Sequence, residues 1–138
     1  MTPDAPAPLA DLRVVDVSTV LAGPSCARYL ADFGADVIKV ERPGAGDGVR
    51  SMGWRDPRDH VTLWWKLAAR NKRCIALDLK DPDDVDVFLR LCDRAHVVIE
   101  NFHHNVTSSR GSRQPIDRTL SPDPGRSTLM TSAPKSER

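Results

Sequence analysis

The sequence is short of the features that mark secreted, membrane-spanning and metal-built proteins. It has three cysteines, Cys26, Cys74 and Cys92, an odd number, widely spaced and without a CxxC pair. That arrangement argues against a disulfide framework and a zinc site, and leaves reduced, buried thiols as the plain reading. No run of roughly 18 apolar residues is present, so no transmembrane helix is expected. Residues 1–13 carry acids and prolines but no basic stretch ahead of an apolar core, so no secretion signal is expected either. These absences point to a cytoplasmic protein. Charge of one sign is not in excess: the formal net charge is +1, which gives no reason to expect nucleic acid or a membrane surface as a partner. His103 and His104 are adjacent imidazoles with no third ligand nearby, so no metal is expected. Asn105–Thr107 matches a glycosylation sequon that nothing else supports. The 138 residues leave room for one modest domain.

What is present is organised around residues 14–42. Val14-Val15-Asp16-Val17 is a short apolar run of the kind a buried strand makes. The loop Leu21-Ala22-Gly23-Pro24-Ser25 follows, and a helix begins near Pro24 or Ser25, since proline suits a first helical turn. Cys26, Leu30 and Phe33 recur at helical spacing, and Gly34 reads as the stop. Val37–Val40 is a second strand, ended by Glu41, Arg42, Pro43 and Gly44. Strand, helix and strand in so short a span make a βαβ unit, which requires a parallel sheet and a right-handed crossover. The loop at Ala22 and Gly23 then falls at the carboxyl end of the first strand, where open α/β sheets bind ligands. The free N–H groups of the next helix favour an anion there. Glu41 and Arg42 end the second strand on the same edge, and an arginine at that place favours a phosphate or stacks on a base.

Residues 43–70 form a long connection. Met52, Trp54, Val61, Leu63, Trp64, Trp65 and Leu67 crowd together in it, around a short helix within 61–70. They read first as core or as a partner-facing patch. Asn71-Lys72-Arg73 leads into a third strand, Cys74–Leu79. Asp81 and Pro82 open a helix that runs to about Arg94, with Val85, Phe88, Leu89, Leu91 and Cys92 on its apolar face. Val97–Ile99 is a fourth strand, ending at Glu100-Asn101-Phe102. Beyond it Ser, Thr, Pro, Gly and Arg dominate without period, so disorder is expected from about residue 105. The fold class is therefore α/β: an incomplete, Rossmann-like parallel sheet of about four strands with flanking helices, then a disordered tail. The division expected is 1–102 and 103–138.

Four segments, LAGP (Leu21–Pro24), LADFGADVIKVERPGAGD (Leu30–Asp47), NKRCIALDLK (Asn71–Lys80) and VVIENF (Val97–Phe102), stand in an order that resembles the N-terminal part of the family III CoA-transferases. This CaiB/BaiF family includes formyl-CoA transferase, the carnitine CoA-transferases and α-methylacyl-CoA racemase. The resemblance runs from about Leu9 to Phe102. It implies coenzyme A or an acyl-CoA as substrate, and a homodimer in the intact family. It implies that Leu21 and Ala22 face CoA through backbone groups and that Arg42 approaches the adenosine phosphate end. Leu77, Asp78, Leu79 and Lys80 frame the adenine, with the Lys80 charge near the phosphates. Asn101 and Phe102 meet the pantetheine and diphosphate. One of the side chains of the segment after Arg42 also becomes a candidate wall of the site. Plain structural alternatives remain open: a strand-to-helix turn at 21–22, a solvated Arg42, and helix capping at Asp78 and Lys80.

In the transferases of this family an aspartate attacks the acyl-CoA thioester, forming a mixed anhydride and then an aspartyl-CoA thioester. The racemases use a His and an Asp to exchange an α-proton. Both sets lie beyond the ENF motif. The chain is therefore expected to be an N-terminal fragment with no catalytic residue, inactive alone. Asp16, Asp32 and Asp36 read as structural or surface acids. After Phe102 the family pattern stops, and Arg110, Asp117 and Asp123 sit in unmatched sequence and take no role. The abrupt change reads as out-of-frame translation, which resequencing tests. Two alternatives compete: a dinucleotide-binding module of a dehydrogenase, disfavoured because no GxGxxG follows the first strand, and a nucleotide-binding interaction module without catalysis.

Overall fold

The computed structural model describes residues 6–102 and 128–131. Strand β1 is Arg13–Asp16, helix α1 Ala22–Asp32 and strand β2 Asp36–Glu41. A single 3-10 turn at Gly48–Arg50 and helix α2, Leu63–Ala68, lead to strand β3, Arg73–Ala76. Helix α3, Pro82–Arg94, strand β4, Val97–Glu100, and strand β5, Thr128–Thr131, follow. All strands pair in parallel in the order β3-β2-β1-β4-β5. The order turns back between β1 and β4, and at such a switch point the carboxyl ends of neighbouring strands leave a crevice.

Alternation along the strands divides the core between two faces. Val14, Val37 and Ile99 meet Ala27, Ala31 and Ala35 on the α1 side. Val15, Val17 and Val40 meet Leu77, Phe88 and Ala95 on the α3 side. Helix α1 buries Gly23, Pro24, Ala27 and Ala31, so it lies on the sheet through small residues. Cys26 and Leu30 flank that face, and Phe33 is 56% exposed rather than part of it. The helix also begins at Ala22, ahead of the expected Pro24, with the Ser25 N–H donating to Leu21 O at 2.8 Å. Gly23 explains the early start: a Cβ there would overlap the Ser18 side chain, so only glycine lets this turn sit against the end of β1. Helix α3 starts where the sequence predicts, with Asp81 capping the N–H of Asp83 and Pro82 in the first turn, but its packed face is Val87, Phe88, Leu91 and Cys92, and Leu89 is exposed.

Other expectations shift. Strand β3 stops at Ala76 instead of running to Leu79, because Leu77 turns inward to fill the α3-side core. The tryptophans do not fill the core: Trp54 is 85% exposed, Trp64 is exposed, and the ring of Trp65 stacks under the Arg50 guanidinium at 3.5 Å. The cysteines are less buried than expected, with Cys74 exposed and Cys26 and Cys92 half-buried. Thr128–Thr131 adds a strand beyond the four read from the sequence, in register with Val97–Glu100. Its pairing is specified by the open edge of β4 rather than by an apolar pattern of its own. The rest of the segment expected to be disordered lies outside the described residues, as do His103, His104 and the sequon.

Gly23→Ala should lower stability by about 1–3 kcal/mol, as overpacking does. Gly48→Ala, where a Cβ meets nothing within 4 Å, should leave it nearly unchanged. Thermal melts of the two variants check this; equal melting temperatures would remove the close-packing explanation.

Candidate functional site

A cleft of about 200 Å³ opens at the carboxyl ends of β1, β2 and β3. Val17, Ser18 and Thr19 come from β1, Val40, Glu41 and Arg42 from β2, and Leu77–Lys80 follow β3. Phe102 closes it from the end of β4, and Gly46 and Asp47 from the loop after β2. A shallower hollow continues from it through Glu41, Arg42 and Gly46 toward Arg50 and Cys74 at the outer strand. Of the residues singled out from sequence, Arg42, Leu77, Asp78, Leu79, Lys80 and Phe102 are brought together here. Leu21, Ala22 and Asn101 are not among the lining residues. Nor are any of the tryptophans.

Behind the cleft wall, reached through Asp47 and Ser18, lies a buried cluster of charges. Lys39 and Asp16 are register partners on β2 and β1, and both are fully buried. Lys39 Nζ lies 2.8 Å from Asp47 Oδ2 and 3.8 Å from Asp16 Oδ2, and donates to Ser18 O at 2.8 Å. Lys72 Nζ reaches the same Asp16 Oδ2 at 2.8 Å and Pro24 O at 2.7 Å. The second Asp16 oxygen accepts from the Ser18 N–H at 3.1 Å and from its hydroxyl. Two lysines and two aspartates thus neutralise one another in a place where an unpaired charge would be very costly. Burial pushes the Lys72 amine below its usual range, and Asp16 partly restores it.

The acids on the rim are spoken for. Glu41 accepts from Arg50 Nε and Nη2, at 2.7 and 2.8 Å, and from the Asp47 N–H at 2.9 Å. Burial works to raise the Glu41 carboxyl, but Arg50 and that N–H hold it below its ordinary value of 4.5. Asp78 accepts from the Lys80 N–H at 3.1 Å, and its own N–H donates to Asp84 at 2.7 Å, so it also organises the start of α3. The side chains of Arg42 and Lys80 are exposed and form no hydrogen bond or ion pair among the described residues. The cleft therefore offers two free cations and no free buried acid, which suits an anionic ligand.

Two of the three thiols are held in the protonated form: partial desolvation raises Cys74, although the residue is exposed as a whole, with the Glu41 carboxylate adding to it, and burial pushes Cys92 up to about 11. Among the described residues no group of three or more His, Cys, Asp and Glu converges as a metal site would require, and no helix is long and apolar enough to cross a membrane.

Sequence reading passed over Lys39, Asp47 and Lys72. A signal was there: Lys39 interrupts Val37-Ile38-Lys39-Val40, and Asp16 interrupts Val14-Val15-Asp16-Val17. One charge of each sign inside two strands of a buried parallel sheet foretells a pair, because neither is tolerated alone.

The model of CoA-transferase family III matches residues 9–123, past the Phe102 at which the motifs end. The chain is 48% identical over 106 residues to a succinyl-CoA–D-citramalate CoA-transferase of Chloroflexus aurantiacus, covering 77% of this chain and 26% of that protein. It is 41% identical over 104 residues to a formyl-CoA:oxalate CoA-transferase of Escherichia coli, covering 75% of this chain and 25% of the relative. The chain thus spans about a quarter of the length of these curated relatives. Among solved structures, a CAIB/BAIF family protein from Brucella suis superposes with a TM-score of 0.68 at 34% identity, over 80% of this chain and 30% of that one.

The lowered Glu41 carboxyl sets a pH dependence. Above its unfolded value of 4.5 the group is ionised in both states and its contribution is complete. As pH falls below that value the unfolded chain takes up the proton first, and the contribution drains away until the folded group is protonated too. Glu41→Gln should therefore lower stability near pH 7 and flatten the loss between about pH 4.5 and lower values. Urea melts across pH check this; parallel pH profiles for both proteins would contradict it.

Proposed function

The chain belongs to CoA-transferase family III, and on that premise we propose that its cleft binds the adenosine end of coenzyme A or an acyl-CoA. The observation that carries this is the pair of cations, Arg42 and Lys80, unengaged among the described residues, at the mouth of a cleft whose buried acids, Glu41 and Asp47, are paired with Arg50 and Lys39. Arg42 meets the adenosine phosphate, Leu77–Leu79 frame the adenine, and Lys80 adds charge near the phosphates. Phe102 supplies an apolar face toward the diphosphate and pantetheine. Leu21 and Ala22, which do not line the cleft, offer backbone N–H groups at the start of α1, and Asn101 stands beside Phe102 at the end of β4.

In the whole protein the reaction is transfer of CoA between carboxylic acids through an enzyme aspartate, carried out by a homodimer in the cytoplasm. The names of the relatives, succinyl-CoA–D-citramalate and formyl-CoA:oxalate CoA-transferase, favour transfer over racemisation. None of the acids at or beneath the cleft suits the attack on the thioester: Asp16 and Asp47 are locked to lysines, Glu41 to Arg50, and Asp78 to a turn. This stretch is accordingly the adenylate-binding part, and alone it transfers nothing. A dinucleotide module is disfavoured by Glu41: a carboxylate ending β2 is the group that would receive a ribose hydroxyl, and here Arg50 occupies it.

CoA should raise the melting temperature of the chain, and NAD should not. Arg42→Ala with Lys80→Ala should weaken CoA binding by about tenfold or more, through loss of charge-assisted contacts. Titration calorimetry reads this; equal affinity for NAD and CoA would overturn the assignment.

A further inference from the structure

We propose that Lys39, Asp47 and Asn101 are positioning residues that hold the Ser18–Val20 backbone in the shape the cleft presents to an adenylate, an inference that rests on the CoA reading above. Three consecutive residues of this loop are each anchored by a side chain far away in sequence. Lys39 Nζ, from β2, donates to Ser18 O at 2.8 Å. Asn101, at the end of β4, donates through Nδ2 to Thr19 O and accepts through Oδ1 from the Thr19 N–H, both at 2.8 Å. Asp47 Oδ1, from the loop after β2, accepts from the Val20 N–H at 3.1 Å.

The anchors answer a need. Val20 sits at φ +67, a left-handed conformation that a β-branched residue adopts only when its surroundings impose it. Without anchors the loop relaxes toward ordinary backbone angles. Ser18, Thr19 and Asp47 line the cleft, so that relaxation moves its wall. Asn101 then acts as an anchor rather than as a ligand contact. Both ends of its amide are committed to Thr19, and it does not line the cleft, so its influence on binding passes through the loop. Lys39 has no exposed surface and cannot touch a ligand at all.

The test is a double-mutant cycle on the full 138-residue chain, with CoA as ligand, well below the melting temperature. Asn101→Ala should weaken CoA binding about tenfold, the scale of a lost pair of hydrogen bonds. Val20→Asn introduces a residue that tolerates the left-handed region. In that background Asn101→Ala should lose only about threefold or less, because the loop no longer pulls away from its shape. Equal losses in both backgrounds mean that Asn101 acts independently of the strained residue, and overturn the proposal. A wild-type chain that binds no CoA overturns the CoA reading and this proposal with it. A wild-type chain that binds, beside an Asn101→Ala chain that binds as tightly, overturns the proposal alone. Should Asn101→Ala fail to melt cooperatively, amide exchange of the wild-type chain decides: Thr19 and Val20 should be protected as strand amides are, and exchange at open-loop rates sinks the idea.

Discussion

Everything at the carboxyl edge of this sheet depends on four charges that see no water. Lys39, Asp16, Asp47 and Lys72 form one connected group, with Asp16 shared between the two lysines. Desolvating such ions is expensive, and only mutual pairing with additional hydrogen bonds offsets it. Here the supplementary partners are the Ser18 N–H and hydroxyl and the carbonyls of Ser18 and Pro24. An apolar core of the same volume has no directional demands. This one ties β1, β2, the loop at Asp47 and the turn before β3 to a single geometry, and removing any member strands the others.

That rigidity has a consequence for ligand choice. By engaging the buried acids internally, the fold leaves the cleft with Arg42 and Lys80 as cations that no partner among the described residues takes up. The outer loop repeats the device. Trp65 stacks on Arg50, Arg50 grips Glu41, and Glu41 accepts the N–H of Asp47, which returns the chain of contacts to the buried group. Trp65, which does not line the cleft, thus reaches it through two other side chains. Trp54 and Trp64, by contrast, stand out in solvent.

Much of the fold was legible because it is written in local signals. The capping pair Asp81-Pro82 marked the start of α3 to the residue, and the apolar runs marked β1, β2 and β4 to within a residue or two at either end. Errors arose where packing overrode pattern. The spacing of Cys26, Leu30 and Phe33 suggested one face for α1, yet the sheet accepts the face of Gly23, Ala27 and Ala31, because small residues let the helix axis come closer. Strand β5 carries too short a pattern to be seen, and is set by a neighbour's open edge.

The candidate site divides in the same way. The residues that face the cleft follow strand ends, and strand ends are sequence-local, so Arg42, Leu77–Lys80 and Phe102 could be named without coordinates. The contacts that shape it could not. Asn101 was named from the sequence as a ligand contact, but its bonds to Thr19 were not, and Lys39 and Asp47 were passed over; all three hold a loop some 20 to 80 positions away, and a partner at that distance is chosen by strand order and register. The sequence alone determined a parallel α/β sheet and the chemistry along its edge. Only the tertiary structure decided which charges remain free to meet a ligand, because pairing in a dry interior depends on which side chains the sheet brings within about 3 Å of one another.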